Sequence, residues 1–153
     1  MPSQTAPPLR PPEVQLWLTL DRVHTVLGRA VTGYVTTLGL TAPQYRVLRQ
    51  LGEGGRSGSE LAQKLGVTPG NLTGILDRLE GEGLLRRERA LTDRRSLRLC
   101  ITPAGEALMS RAIPAMQSHL KSLFAPLGAA EVAQVQGLLE RLEAHLLSPE
   151  IPA

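Results

Sequence analysis

From Glu13 to Leu38 the apolar positions fall at Leu16, Leu20, Val23, Leu27, Val31, Tyr34 and Leu38. Steps of three and four put them on one face of a helix, and Trp17, His24 and Val35 widen the stripe. Gly39 is placed to end it. Thr41-Ala42-Pro43-Gln44 reads as a capping box, because a Thr cap and a Gln three residues on satisfy each other's free amides. It opens a second helix carrying Tyr45, Val47, Leu48 and Leu51, ended by Gly52, Gly54 and Gly55. Ser57-Gly58-Ser59-Glu60 is another such box, opening a short helix with Leu61, Ala62 and Leu65 that Gly66 stops. Thr68 as cap and Pro69 at the first helical position start a fourth helix, reaching about Glu82, with Leu72, Ile75, Leu76 and Leu79 on one face and Gly83 beyond.

The period then changes. Leu84–Arg89 and Leu97–Ile101 read as strands, the second alternating Leu97, Leu99 and Ile101 with Arg98 and Cys100. The polar tip Thr92–Ser96 makes them a β-hairpin. Thr102 and Pro103 open a fifth helix with Leu108, Ile113, Met116 and Leu120, which Pro114 is expected to kink or break. A last helix after Gly128 carries Val132, Val135, Leu138, Leu139, Leu142 and Leu146. Two helices around the tight Gly66-Val67-Thr68 corner, followed directly by a hairpin, predict a winged helix.

The expected fold is therefore mainly α with a small β-hairpin wing: a winged helix-turn-helix lobe over residues 41–103, flanked by N- and C-terminal dimerisation helices over 13–40 and 104–148. Packing those long amphipathic helices together, within a subunit and across a two-fold axis, is the simplest way to cover their apolar faces. Residues 1–12, with five prolines and no apolar core, are expected to be a disordered arm rather than a signal peptide, and 149–153 a flexible tail.

Composition narrows the class. At 153 residues and 42% hydrophobic the chain can bury one real core, and no apolar run approaches a membrane span. A single cysteine excludes an intramolecular disulfide and a multi-cysteine zinc site, and a cytoplasmic protein is the expectation. Of 17 basic residues 15 are Arg, which suits phosphate recognition but also fits a G+C-rich genome. The charge is unevenly placed. Residues 86–98 hold six Arg against Glu88 and Asp93, a local +4, whereas residues 99–153 hold three cations and five anions. A basic hairpin fits contact with a polyanion, the alternative being a merely solvated hairpin.

The order of elements, together with four stretches, resembles the MarR family of winged-helix transcription regulators across roughly residues 13–147. The stretches are Leu40–Leu48, Ser59–Val67, Leu76–Leu84 and Asp93–Gly105, the last with an Asp93-Arg94-Arg95 tip and a Thr102-Pro103-Ala104-Gly105 exit. The resemblance implies a homodimer joined through its terminal helices, a pseudo-palindromic double-stranded DNA operator, and release by a small aromatic or anionic effector or an oxidant.

It also implies that the helix from Thr68 enters the major groove. Opposite that helix's apolar side lie Gly70, Gly74, Asp77 and Gly81, flanked by Asn71, Thr73 and Arg78. The Asn71 amide offers donor and acceptor together, as an adenine edge requires. Thr68 and Thr73 suit phosphate or base, Arg78 suits phosphate, and the first-turn amides from Thr68 to Asn71 favour an anion. Many relatives carry a bulky or basic residue where Gly74 stands. Close backbone approach to DNA is one reading of that departure, and weak direct readout is the other. Arg94 at the tip is assigned to the minor groove, where negative potential is greatest over narrow A·T tracts. Asp93, by resemblance, holds a neighbouring Arg through an ion pair, and Arg95 serves structure as well as phosphate.

Trp17 and His24, seven residues apart on one helix, and Arg46 together suit an aromatic anion, though the first two equally suit an ordinary interface. Cys100 lies in a strand, not in the first helix where peroxide-sensing relatives resemble one another, and reads as a filler unless Arg98 lowers its pKa. Gly52-x-Gly54 lacks a third glycine at Ser57, no Walker loop or His-Glu-x-x-His occurs, and the three histidines are far apart, so no enzyme, metal or cofactor is expected. Two other readings stay open: an architectural DNA binder without effector, and a winged-helix protein-interaction module.

Overall fold

The computed structural model describes residues 11–52, 54, 56–89 and 97–148. The helices are α1 (Pro12–Thr37), α2 (Ala42–Gly52), α3 (Gly58–Leu65), α4 (Pro69–Gly81), α5 (Pro103–Leu123) and α6 (Ala129–Leu146). The strands are β1 (Arg56–Ser57), β2 (Leu85–Arg89) and β3 (Leu97–Ile101). The architecture is mainly helical with a small antiparallel hairpin, as the periodicity predicts. The chain forms two compact units that divide after Met116. No helix among the described residues is long and apolar enough to cross a membrane.

Local capping sets the boundaries in the first unit. Gln44 N–H donates to Thr41 Oγ1 (3.3 Å) while Thr41 N–H donates to Gln44 Oε1 (2.8 Å). Ser57 and Glu60 make the same reciprocal pair at the start of α3 (2.8 and 3.3 Å). Gly66, at φ +64°, turns the chain out of α3 in a left-handed conformation that costs other residues strain. Arg46 Nη2 donates to the Leu65 carbonyl at the same helix end (3.0 Å).

The core lies in this unit. Val35, Val47, Leu48, Leu61, Leu79 and Leu85 are fully buried, with Leu72, Leu76, Leu99 and Met109 nearly so. It is built from the inward faces of α1 (its C-terminal end), α2, α3, α4 and α5 and from the hairpin, which fixes α4 with its other face outward.

Three details depart from the sequence reading. Pro12 is the first helical residue rather than the last of an arm, since a proline loses nothing at a position whose amide has no intrahelical partner. The hairpin is part of a three-stranded sheet, order β1-β3-β2, because Arg56 and Ser57 pair with Leu99 and Arg98. Two residues are too few to show alternation. Finally, of the kink or break expected at Pro114 the break does not occur: α5 continues through it, and both Pro114 and Ser110, whose carbonyl loses its amide partner, are exposed, so water can take that carbonyl. Residues 1–10 and 149–153, expected to be arm and tail, lie outside the described residues.

The exit from the wing is tightly fitted. Thr102 Oγ1 donates to the Gly83 carbonyl (2.6 Å) and accepts from Gly105 N–H (3.1 Å), and Thr102 N–H donates to the Leu84 carbonyl (3.1 Å). A Cβ on buried Gly105 would strike the Leu84 carbonyl oxygen and lie 2.6 Å from Ile101 Cγ1. Gly105→Ala is therefore expected to lower stability by about 1–3 kcal/mol, the usual range for overpacking, read as a fall in the thermal midpoint. An unchanged midpoint would show that the turn has slack.

Candidate nucleic-acid interface

α4 presents two unlike faces. Leu72, Ile75, Leu76 and Leu79 are buried, whereas Thr68, Gly70, Asn71, Thr73, Gly74, Asp77, Arg78 and Gly81 are all exposed. The residues selected for DNA contact on this helix thus share one open surface. Their free hydrogen-bonding capacity is smaller than the sequence suggests. Thr68 Oγ1 accepts from Asn71 N–H (3.3 Å), and Thr73 Oγ1 donates to the Pro69 carbonyl (2.9 Å). Leu72 N–H takes the Thr68 carbonyl (3.0 Å), and Pro69 has no N–H. In that first turn the Thr68 and Gly70 N–H groups remain for an anion, in place of the whole run of amides from Thr68 to Asn71. A Cβ on Gly70 or Gly74 would meet nothing within 4 Å. The fold itself does not ask for glycine at either place.

The hairpin sorts its arginines by face. Register pairs Arg86 with Cys100, Arg87 with Leu99 and Glu88 with Arg98. Leu85 and Leu99 point into the core, so alternation turns Arg87 inward with them. Its guanidinium donates to Asp77 Oδ1 (2.6 Å) and to Glu80 Oε2, and its backbone N–H donates to Glu80 Oε1 (3.2 Å). The hydrogen bond to Asp77 chiefly raises its pKa above the ordinary Arg value, burial opposing and Glu80 adding. Arg86 pairs instead with Glu88 on the outer face (2.6 Å). The local +4 of the hairpin is thus an overcount of charge offered to a ligand, since Arg87 is answered by two carboxylates of α4. Nothing in the charge count revealed this. The signal lay in strand alternation, with Arg87 two residues from inward Leu85, and in two acids three apart on α4. Asp93, Arg94 and Arg95 lie outside the described residues.

Gln44 is the buried polar residue of α2. Beyond its capping role, its Nε2 donates to both carboxylate oxygens of Glu82 at the C-terminal end of α4 (3.1 Å each). The amide thereby ties the start of α2 to the end of α4, a link absent from the sequence reading.

A family model, the MarR family, matches residues 40–97, the span from the end of the first helix to the wing. A helix-turn-helix transcriptional repressor of Mycobacterium tuberculosis is 33% identical over 131 residues, covering 85% of this chain and 94% of the relative. This chain belongs to the MarR family. The helix-turn-helix regulator PecS of Dickeya dadantii is 31% identical over 134 residues (85% of this chain, 81% of PecS). Among solved structures, AbsC, a MarR-family transcriptional regulator of Streptomyces coelicolor, aligns with a TM-score of 0.81 at 25% identity over 92% of this chain and 98% of its own. A mutant of Escherichia coli MarR complexed with operator DNA aligns with a TM-score of 0.76 at 28% identity, over 84% and 94%. The protein is a MarR-type transcription regulator with a DNA-binding winged helix.

The other sequence candidates lie on α1, α2 and β3. Trp17 and His24 are exposed on α1, and Arg46 is engaged with Leu65. His24 shares a shallow groove with Thr25, Gly28, Arg29 and Thr32, without Trp17 or Arg46. Cys100 Sγ donates to Glu88 Oε2 (3.5 Å). Burial foremost, then Glu88, pushes its pKa up, outweighing Arg98 and Arg86, which pull it down. The thiol accordingly stays protonated at neutral pH. Alkylation by iodoacetamide at pH 8 is expected to be several-fold slower in the folded protein than in the urea-unfolded chain, by mass spectrometry, since the thiolate is the nucleophile. Equal rates would return Cys100 to consideration as a redox group.

Proposed function

We propose that this regulator is a homodimeric repressor that binds a pseudo-palindromic operator and lets go when a small aromatic or anionic effector binds. The observation that carries it is the outward face of α4, open from Thr68 to Arg78 beside a basic hairpin. In this reading α4 lies in the major groove, with Asn71 on a base edge, Thr68, Thr73 and Arg78 on phosphate or base, and Gly70 and Gly74 letting the helix approach. Arg94 enters the minor groove, Asp93 orients it and Arg95 contacts the backbone. The protein carries no catalytic role and acts in the cytoplasm, where its operator is.

Dimerisation is supported by apolar side chains that stay exposed in the single chain. On α1 these are Val14, Leu16, Trp17, Val23 and Val26, and on α6 Val132, Val135, Leu138, Leu139, Leu142 and Leu146. Monomeric proteins rarely leave such stripes to water, and a second copy is the cover the family resemblance implies. For the effector, Trp17 and His24 offer an aromatic face and an imidazole. A relative 33% identical over 102 residues is the homoprotocatechuate degradative operon repressor of Escherichia coli, and homoprotocatechuate is an aromatic anion.

Footprinting with the promoter region beside its own gene tests the reading. Protection of one palindrome is expected, lost on adding the effector. Broad coating would favour an architectural binder without effector, to which the bare Gly70–Gly74–Gly81 line gives some support. No binding even in dilute salt would leave the protein-interaction module.

A further inference from the structure

Arg87 is one of four hairpin arginines, with Arg86, Arg89 and Arg98, that the DNA reading does not use. It is set apart by its surroundings. Its side chain is 24% exposed, against 56% for Arg86 on the neighbouring outward position. One residue makes three polar contacts to one helix: two through the guanidinium, to Asp77 and Glu80, and one through the backbone N–H, to Glu80. β2 is an edge strand of the sheet, and that N–H is turned away from β3 to Glu80 of α4. Charge-assisted contacts of this kind are strong, and a planar guanidinium bridging two carboxylates fixes direction as well as distance.

We propose that Arg87 is a positioning residue, which locks the wing to the DNA-contacting helix through Asp77 and Glu80 so that both meet one duplex in fixed register. The inference rests on α4 being that helix. It has a consequence opposite in sign to simple electrostatics. Asp77 and Glu80 are anions on a helix that approaches a polyanion, so removing them would strengthen binding if charge alone mattered. With the lock broken, wing and helix no longer arrive pre-aligned, and the ordering cost falls on the binding step.

The test is a cycle of Arg87→Gln, the pair Asp77→Asn with Glu80→Gln, and all three together, read by fluorescence anisotropy on operator DNA over a range of salt. Arg87→Gln and the acid pair are each expected to weaken binding by about tenfold, and the triple variant by no more than either, as coupled neighbours do. The slope of log affinity against log salt is expected to stay at the wild-type value. A slope shallower by about 0.9 per Arg87 copy would make Arg87 a phosphate contact and overturn the proposal. Tighter binding by the acid pair would overturn it too. The free wild-type protein gives a reading independent of DNA and of variant folding: NMR of the Arg87 guanidinium, with the acid-pair variant as control. Resolved, slowly rotating NηH signals in the wild type support the lock, and fast-averaged ones overturn it. If the wild type binds no DNA, the repressor reading fails while the NMR result still decides the lock.

Discussion

Leu138→Glu together with Leu142→Glu is expected to convert the protein from a dimer to a monomer and to abolish operator binding at nanomolar concentrations. The two positions lie one turn apart on α6 and are 52% and 38% exposed in the single chain. No residue of α6 is buried there. On a monomer such a change would fall within about ±0.5 kcal/mol, because surface substitutions disturb little. If a second copy covers the stripe, each subunit must instead place two carboxylates against apolar surface, costing several kcal/mol per dimer, and every 1.4 kcal/mol is about tenfold in the dissociation constant. Loss of the dimer removes the second half-site contact, and with it the high effective concentration that links the two. Sedimentation checks the first step, with wild type near twice the 16.5 kDa chain mass and the variant at it. A thermal melt of the variant monomer checks that the winged-helix unit still folds. A variant that stays dimeric would place the interface elsewhere.

The ease with which the lobe is read from its sequence, and the difficulty of its charge layout, have one physical origin. Caps are local. Thr41 and Gln44, Ser57 and Glu60, and Thr68 with Asn71 each lie within four residues, and each makes the hydrogen bond its spacing predicts. Gly66 and Gly83, at φ +64° and +70°, end their helices where the apolar period stops. The open face of α4 follows, because it is the complement of a buried face visible as Leu72, Ile75, Leu76 and Leu79. What escaped was non-local. β1 exists only because Arg56 and Ser57 meet β3 some forty residues on. Gln44 meets Glu82, 38 residues away. Arg87 is indistinguishable by charge from Arg86 until the hairpin's two sides are known. The tip itself, with Asp93, Arg94 and Arg95, is read from sequence and resemblance alone.

That tip carries the second large effect. Arg94→Ala is expected to weaken operator binding by about ten- to a hundredfold per half-site, the loss of one charge-assisted contact in each. The salt dependence separates this from misfolding or misalignment. A cation that neutralises a phosphate releases counterions, so losing it from both subunits should flatten the slope of log affinity against log salt by about 1.8. Arg87→Gln, by contrast, is expected to leave that slope alone, so the pair of variants tells a contacting arginine from a positioning one on the same hairpin. Arg94→Lys should restore the slope but only part of the affinity, since an ammonium is more strongly hydrated than a guanidinium and lacks its planar fork. The penalty should shrink when an A·T tract under the tip is replaced by G·C, because the narrow groove that focuses negative potential is then gone. Unchanged affinity for Arg94→Ala at every salt concentration would remove the wing from the mechanism and leave recognition to α4 and the shape of the duplex.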